Sequence, residues 1–313
     1  MNNLTRRRFL SVASATGAAA ALNPALRGVA RAASSTRALG IELYTVEAAL
    51  EADMPGTLTA LSTIGYKNVE TGLISKIAAK DLRKGLDAVG LACPSAHLSF
   101  SSADPAPLFE DAHTLGAHYA VSSVLIASNP IPSSATPAAG LGDFLKVLSS
   151  LTADDWKRTA DLANQIGAKA KQAGLQYAYH NHNFEFRDLG GGQTGYDLML
   201  SGTDPELVKF ELDCGWMVAA GHSPVDYLTK YPGRYRMIHV KDFMAGAKPT
   251  TALMGPDAPK GTELGKGYID YKPIFAAAAQ AGVAYYFSEQ EPPITGMTAL
   301  DAARVNYEYM RSI

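Results

Sequence analysis

The stretch VKFELDCGW at residues 208–216 starts as an extended, largely apolar run and then breaks into polar residues and glycine. A short apolar run that closes on turn residues predicts a buried β-strand, which here would end at Asp213. Three other stretches have the same form: AYHNHNFEF at 178–186, MIHVKDF at 237–243 and YYFSEQEPP at 285–293. They place His180, His239 and Glu289 near the ends of their strands. Polar side chains at successive strand ends are typical of a functional site at one edge of a parallel sheet.

Apolar runs of strand length recur along the whole chain. We predict eight strands, at residues 39–44, 68–71, 91–98, 119–124, 176–182, 208–213, 236–240 and 284–289. Helical periodicity lies between them, most clearly at residues 156–173, where Thr152 and Asp155 predict a capping box and Gly174 predicts the helix end. Strands that alternate with helices predict a parallel sheet. Eight such units in roughly 280 residues predict the fold class α/β, as a single (β/α)8 TIM barrel.

The length of each strand-helix unit can be measured between the polar residues at successive predicted strand ends. The residues are Glu42, Glu70, His97, Ser122, His180, Asp213, His239 and Glu289. Most intervals are near the thirty or so residues of one strand and helix, but two are longer and contain the insertions at residues 128–142 and 246–267. Because both insertions follow a strand, we expect both over the face that carries barrel active sites, as substrate lids or as tolerated surface loops.

The N-terminus carries an export signature. Residues 5–10 read TRRRFL, a twin-arginine motif, and the apolar run at residues 12–22 is too short to cross a bilayer. Residues 30–32 read ARA and supply an A-x-A cleavage site. We predict a twin-arginine signal peptide at residues 1–32, a barrel domain at residues 33–313, and a periplasmic protein delivered by the twin-arginine export machinery without stable membrane insertion after cleavage. The alternative is an uncleaved N-terminal anchor.

Charge and cysteine content narrow the partners. The formal net charge is -2, and loss of the five arginines before residue 33 leaves 23 basic against 30 acidic residues, a net charge of -7. A mildly acidic protein does not favour nucleic acid or an anionic membrane as a partner. Cys93 and Cys214 both lie in apolar strands, which predicts two buried free thiols rather than a disulfide.

The order and spacing of seven segments resemble one known group. The segments are GIELYTV (40–46), GYKNVET (65–71), YHNHNFEF (179–186), LDCGW (212–216), HVKDF (239–243), LGKGYIDY (264–271) and SEQEPP (288–293). In this respect the chain is similar to the sugar phosphate isomerase/epimerase group, the xylose isomerase-like TIM barrels. The resemblance implies one divalent metal ion (manganese, zinc, cobalt or magnesium) at the carboxyl rim of the barrel. It implies Asp213, His239 and Glu289 as metal ligands, with His180 standing where many relatives have a glutamate.

The resemblance also implies an enzyme that removes a proton next to a carbonyl. The group uses two opposed glutamates for epimerisation, so His180 in place of one favours isomerisation, or elimination or hydration of a keto-glycoside. We expect Glu289 as the catalytic base and His182, Lys241 or His97 as the proton donor. An exported protein is expected to act on an unphosphorylated sugar or keto-sugar. The expected class is therefore a sugar isomerase or epimerase, with a lyase, or a non-catalytic sugar-binding barrel, as alternatives.

Several assignments stay open from the sequence. His180, His182 or Glu185 could complete the metal site, although Glu185 has an odd offset from His180 and should face the other side of a regular strand. Lys241 could form a plain surface ion pair with Asp242. A nuclease of the endonuclease IV kind would need a basic surface that the chain lacks. Mixed nitrogen and oxygen ligands favour manganese, zinc, cobalt or iron over calcium. The oligomeric state is not predicted.

Overall fold

The computed structural model describes residues 39–72, 77–100, 105–129, 137–246 and 248–313. Within them, eight parallel strands close into a barrel: β1 Leu39–Glu42, β2 Asn68–Thr71, β3 Ala92–His97, β4 Tyr119–Ser122, β5 Gln176–His180, β6 Val208–Asp213, β7 Tyr235–Val240 and β10 Tyr285–Ser288. The barrel is closed because β1 pairs with β2 on one side and with β10 on the other. The short strands β8 Asp242–Phe243 and β9 Gly261–Thr262 form an antiparallel pair outside it. The predicted TIM barrel is confirmed, while the predicted signal peptide lies outside the described residues.

Helices alternate with the barrel strands. They are α1 Glu47–Ala52, α2 Met54–Ile64, α3 Ala79–Val89, α4 Ala106–Leu115, α5 Pro137–Ser150, α6 Ala153–Gln172, α7 Gly195–Gly202, α8 Cys214–Ala219, α9 Pro224–Lys230, α10 Tyr271–Ala281 and α11 Ala299–Ser312, with 3-10 turns at Leu43–Val46 and Phe184–Phe186. The capping box before α6 is confirmed, because the Asp155 N–H donates to Thr152 Oγ1 and the Thr152 N–H donates to Asp155 Oδ2. No helix in the described ranges is long and apolar enough to span a membrane.

The strand register determines which polar residues meet. Asp213 pairs with His239 across β6 and β7. His180, in contrast, pairs with Glu211 across β5 and β6. Side chains two residues apart on a strand share a face, so Glu211 and Asp213 both point inward, with Glu211 deeper in the barrel. His180 therefore lies deeper in the barrel than Asp213.

Apolar side chains fill the barrel beneath the polar layers. A separate buried cluster consists of Tyr119, Val121, Ala178, Met237 and Phe287. Met237 lies two residues before His239, and Phe287 two residues before Glu289, so each apolar residue lies below a polar one on the same face. This apolar cluster therefore lies beneath the polar residues at the carboxyl end of the barrel. Cys93 and Cys214 are buried and unbonded, as predicted.

The second insertion contributes to the carboxyl face, as predicted, and the helix that continues the first insertion borders the same face. Residues 130–136 of the first insertion lie outside the described part, and from Pro137 onwards the chain is helical as α5. Proline in the first turn and alanines and leucines at helical spacing account for this helix. The second insertion contains β9. Leu148 from α5 and Leu253 from the second insertion contact the same cavity above the barrel.

Candidate metal centre

A cavity of about 690 Å³ opens above the carboxyl ends of the strands. Its walls include Leu148, Leu253 and Met254, and its floor includes Glu42, His97, His180, His182, His239 and Glu289. No lysine or arginine is among the described residues that line it. The cavity thus presents carboxyl and imidazole groups on its floor beneath largely apolar walls.

Asp213, His239 and Glu289, which we call the rim group, lie together: His239 and Glu289 line this floor, and Asp213 is fully buried beside them. One ligand atom from each lies within 4.8 Å of the others, and all three residues are buried. His239 Nδ1 is 2.8 Å from Glu289 Oε2 and 3.9 Å from Asp213 Oδ2. Atoms bound at right angles to one ion at about 2.1 Å would be roughly 3 Å apart. The separations and the donor set, two carboxylates and one imidazole, therefore fit a divalent transition metal or magnesium.

The lysine of HVKDF compensates the charge of the rim group. Lys241 Nζ lies 3.0 Å from Asp213 Oδ2 and 2.8 Å from Glu289 Oε2, and also 2.8 Å from Glu291 Oε1. Burial lowers the pKa of Lys241, but Asp213 and Glu289 outweigh it and hold that pKa well above the usual value. Lys241 is a buried cation facing acidic groups, rather than a surface partner of its neighbour in sequence.

A carboxylate from another strand orients the histidine of the rim group. His239 Nε2 is 2.5 Å from Glu70 Oε2, and the other Glu70 oxygen accepts a hydrogen bond from the Ser95 hydroxyl. When the Nε2–H donates to Glu70, Nδ1 keeps its lone pair and faces Asp213 and Glu289. A carboxylate behind a metal-binding histidine commonly fixes the tautomer in this way.

A second set of ligand atoms lies deeper in the barrel. The deep group consists of His97, His180 and Glu211, with His239 on its border, and its ligand atoms lie within 4.8 Å of one another. His97 Nε2 and His180 Nδ1 are both 3.0 Å from Glu211 Oε2, and His239 Nε2 is 3.3 Å from it. The pairing of His180 with Glu211 in the sheet explains why His180 lies in this group rather than beside Asp213.

Burial and nearby positive charge shift the pKa of the buried carboxyl groups in opposite directions. Burial would raise the pKa of Glu211, but His239 and the hydrogen bonds from three imidazoles hold it well below the usual range. Burial raises the pKa of Asp213 to about 6 in spite of Lys241, and the pKa of Glu42 to about 8. Burial would also raise the pKa of Glu289, but Lys241 and His239 keep it well below its usual value.

The three histidines of the rim and deep groups differ in the direction of their pKa shift. Burial would lower the pKa of His97 and of His239, but the carboxylates of Glu70 and Glu211 raise both well above the ordinary value. For His180 burial prevails and holds the pKa well below the ordinary value. A neutral imidazole at His180 can offer a lone pair to an electrophile.

The structure separates the predicted site residues into distinct positions. Asp213, His239 and Glu289 come together as predicted, while His180 lies in the deep group. Glu185 is buried in the 3-10 turn after β5, where its Oε1 accepts the N–H of His182 at 3.0 Å. That contact ties down the turn. Which residue completes a metal site remains a prediction.

The predicted proton donors also occupy different positions. His97 and His182 line the cavity, and His182 Nδ1 is buried without a hydrogen-bond partner in the described structure. Lys241 is not among the lining residues, and its neighbour Asp242 instead accepts the backbone N–H groups of Gly265 and Gly267.

Sequence reasoning missed two residues of the site. Glu70 was recognised only as a strand-end residue, and Glu211 was not singled out. The signal for Glu211 was available, because it lies two residues before Asp213 and must share its inward face. A charged residue inside an apolar strand is costly unless it is paired, which also marks such a position.

Comparison with known proteins identifies the family. The family model described as xylose isomerase-like TIM barrel matches residues 58–312. The chain belongs to this family. Among curated relatives, an inosose dehydratase of Clostridium beijerinckii is 33% identical over 153 residues, covering 45% of this chain and 49% of the relative. An inosose dehydratase of Geobacillus thermodenitrificans is 28% identical over 253 residues, covering 76% and 82%. The chain spans about half the length of the first of these relatives.

Two solved structures show the same fold. A sugar phosphate isomerase/epimerase from Parabacteroides distasonis has a TM-score of 0.67 and 25% identity, covering 90% of this chain and 95% of that one. The IolI protein with a bound zinc atom has a TM-score of 0.62 and 16% identity, covering 88% and 96%. The second likeness concerns the fold alone.

Proposed function

We propose that this protein is a divalent-metal-dependent lyase that removes water from an unphosphorylated keto-sugar or keto-polyol. The observation that carries the proposal is the rim group, where two buried carboxylates and an oriented imidazole converge on the floor of a cavity. Its similarity over most of the chain to a protein named inosose dehydratase favours dehydration among the reactions open to such a site. Asp213, His239 and Glu289 would hold the ion. This revises the sequence-based expectation of an isomerase towards its lyase alternative.

A bound divalent ion would supply stabilisation of the negative charge that develops on a carbonyl oxygen. The residues of the chain would handle the protons. A base takes the proton from the carbon next to the carbonyl, the C–H electron pair forms a new C=C bond, and the bond to the hydroxyl on the next carbon breaks. The leaving hydroxyl takes up a proton and departs as water.

Two residues on the cavity floor suit these proton transfers. Glu289 lines the cavity and is kept ionised by Lys241 and His239, so it can accept the proton. His182 lines the same cavity and its side chain is partly exposed there, so its imidazole can serve the leaving hydroxyl. His97 would bind substrate hydroxyls, since its Nε2 is engaged with Glu211.

The cavity lining supports a neutral substrate. Phosphate groups are usually recognised by arginine, lysine or backbone N–H groups. The described lining residues include neither arginine nor lysine, and they include Glu289 and Glu291. A phosphorylated sugar would meet like charge there.

Isomerisation or epimerisation is the second candidate, favoured by the likeness to the Parabacteroides distasonis isomerase/epimerase. Both reactions begin with the same proton abstraction but retain the hydroxyl. The lyase differs from both in the mass of its product, because only the lyase product has lost one water molecule.

The test is to incubate metal-loaded protein with inosose and a panel of keto-sugars and keto-glycosides in deuterated water, and to follow them by NMR and mass spectrometry. Deuterium incorporation with loss of water supports the lyase. Deuterium incorporation without loss of water supports the second candidate instead. Tight binding of these compounds without exchange would contradict both and favour a sugar-binding barrel.

We also propose export to the periplasm through the twin-arginine machinery, on the basis of the TRRRFL motif at residues 5–10. Replacing Arg6 and Arg7 together by lysine should leave the protein in the cytoplasm. Unchanged periplasmic recovery of that variant on cell fractionation would contradict the proposal.

A further inference from the structure

The deep group has the composition of a metal site, although the proposed reaction places a metal ion only in the rim group. It brings His97, His180 and Glu211 together from three strands of the barrel wall, β3, β5 and β6. We infer that these three residues bind a second divalent cation, separate from the ion of the rim group.

The distances within the deep group match those between ligands of one ion. His97 Nε2 and His180 Nδ1 are each 3.0 Å from Glu211 Oε2. Ligand atoms about 2.1 Å from a tetrahedral ion are roughly 3.3 Å apart. Small shifts of these side chains would place all three at bonding distance from one cation.

An unpaired acceptor atom also favours a cation at this depth. Glu211 is a fully buried carboxylate, and its Oε1 has no hydrogen-bond partner among the described residues. The imidazoles of His97, His180 and His239 all face its other oxygen, Oε2. A buried polar atom without a partner is costly. A divalent ion held by Glu211, His97 and His180 would take over the role that the proton of His97 has in the metal-free protein.

The two cations would not compete for the same histidine atom. The His239 Nε2–H donates towards Glu70, 2.5 Å away, and its Nδ1 faces Asp213 and Glu289. His239 therefore belongs to the rim ion and leaves three protein ligands to the deep ion. His97 and His180 line the cavity, which gives an ion a path to the site.

The ligand types predict different preferences for the two sites. Two imidazoles and one carboxylate favour zinc, cobalt or iron(II) over magnesium and calcium. The rim group has two carboxylates and one imidazole and tolerates harder ions. In this arrangement His180, which the sequence assigned to the same ion as Asp213, serves a different ion.

The test is metal stoichiometry. The purified full-length chain is stripped with a chelator, saturated with zinc, desalted and measured by elemental analysis, which should give two zinc ions per chain. His97→Gln and Glu211→Gln should each leave one ion, held by the rim group. Asp213→Asn should also leave one, held by the deep group, and the His97→Gln, Asp213→Asn double variant should leave none. Because His97 is partly exposed, His97→Gln should disturb folding less than Glu211→Gln. Circular dichroism checks that each variant is folded.

His182→Ala is the matched control, because its ring lies 5.1 Å from that of His180 but belongs to neither group. This variant should keep both ions. One zinc per wild-type chain would overturn the inference, and so would two zinc ions in His97→Gln or the loss of one in His182→Ala. The inference stands apart from the proposed reaction: two ions without dehydration would support it, and dehydration with one ion would refute it.

Discussion

Replacing Glu70 by glutamine should weaken metal binding at the rim group although Glu70 is not itself one of its ligands. Glu70 is fully buried, and its Oε2 lies 2.5 Å from His239 Nε2. The substitution keeps the size of the side chain but removes the charge that fixes the histidine tautomer and raises the basicity of Nδ1. Loss of such an outer partner typically costs about 10- to 100-fold in metal affinity. That range corresponds to about 1.4–2.8 kcal/mol.

The assay is competition with a fluorescent chelator, following the ion that is lost in Asp213→Asn. Glu42→Gln provides a matched control, because Glu42 is also a buried carboxyl at a strand end, but its hydrogen bond is to the Tyr44 N–H rather than to the rim group. Burial raises the pKa of Glu42 to about 8, so this carboxyl is largely protonated at neutral pH and glutamine resembles it. We expect less than about a threefold change for the control. Wild-type affinity in Glu70→Gln, or an equal loss in Glu42→Gln, would refute the reasoning.

Three further predictions concern Lys241, acidity and packing. Lys241→Met should destabilise the metal-free protein by about 3–5 kcal/mol, because Asp213 and Glu289 lose their cation. Urea unfolding should detect this loss of stability, and added metal should reverse most of it. Equal losses with and without metal would contradict the account. Since the pKa of Asp213 is raised to about 6 and its proton must leave before a cation binds, metal affinity should fall as pH is lowered from 7 to 5; a flat titration profile over that range would be the contrary result. Gly215→Ala should lower the unfolding free energy by about 1–3 kcal/mol, because the new methyl group would meet the Lys241 side chain and, at 2.9 Å, the Lys241 carbonyl oxygen. Gly261→Ala is the control, because the methyl group there enters open space and should leave the stability unchanged. Similar urea midpoints for the two variants would be inconsistent with this packing.

The fold was predictable because its signal repeats along the chain. Each barrel strand is a short apolar run, and all eight predicted strands occur within a few residues of their predicted ends. Three strands, β1, β4 and β5, end two residues before their predicted ends, and at β5 the cause is local. The strand stops at His180 rather than at residue 182 because Asn181 turns to bond Asp213, accepting its N–H at 3.1 Å and donating to its carbonyl at 3.3 Å.

The site was only partly predictable because register is a tertiary property. The sequence places His180, Asp213 and His239 at strand ends, but it does not reveal that His180 is level with Glu211. Asp213 also has two contacts that the sequence does not separate, since its Oδ1 caps α8 by accepting the Trp216 N–H at 2.7 Å while its Oδ2 pairs with Lys241. Sequence patterns identify which side chains point inward, whereas depth depends on how neighbouring strands are aligned.

The central claim is that Asp213, His239 and Glu289 bind one divalent ion at the mouth of the barrel. An anomalous difference map from crystals loaded with zinc or manganese tests it most directly. The account predicts a peak about 2.0–2.2 Å from His239 Nδ1 and from a carboxylate oxygen of both Asp213 and Glu289. A fully loaded crystal with no peak between these three side chains would contradict it.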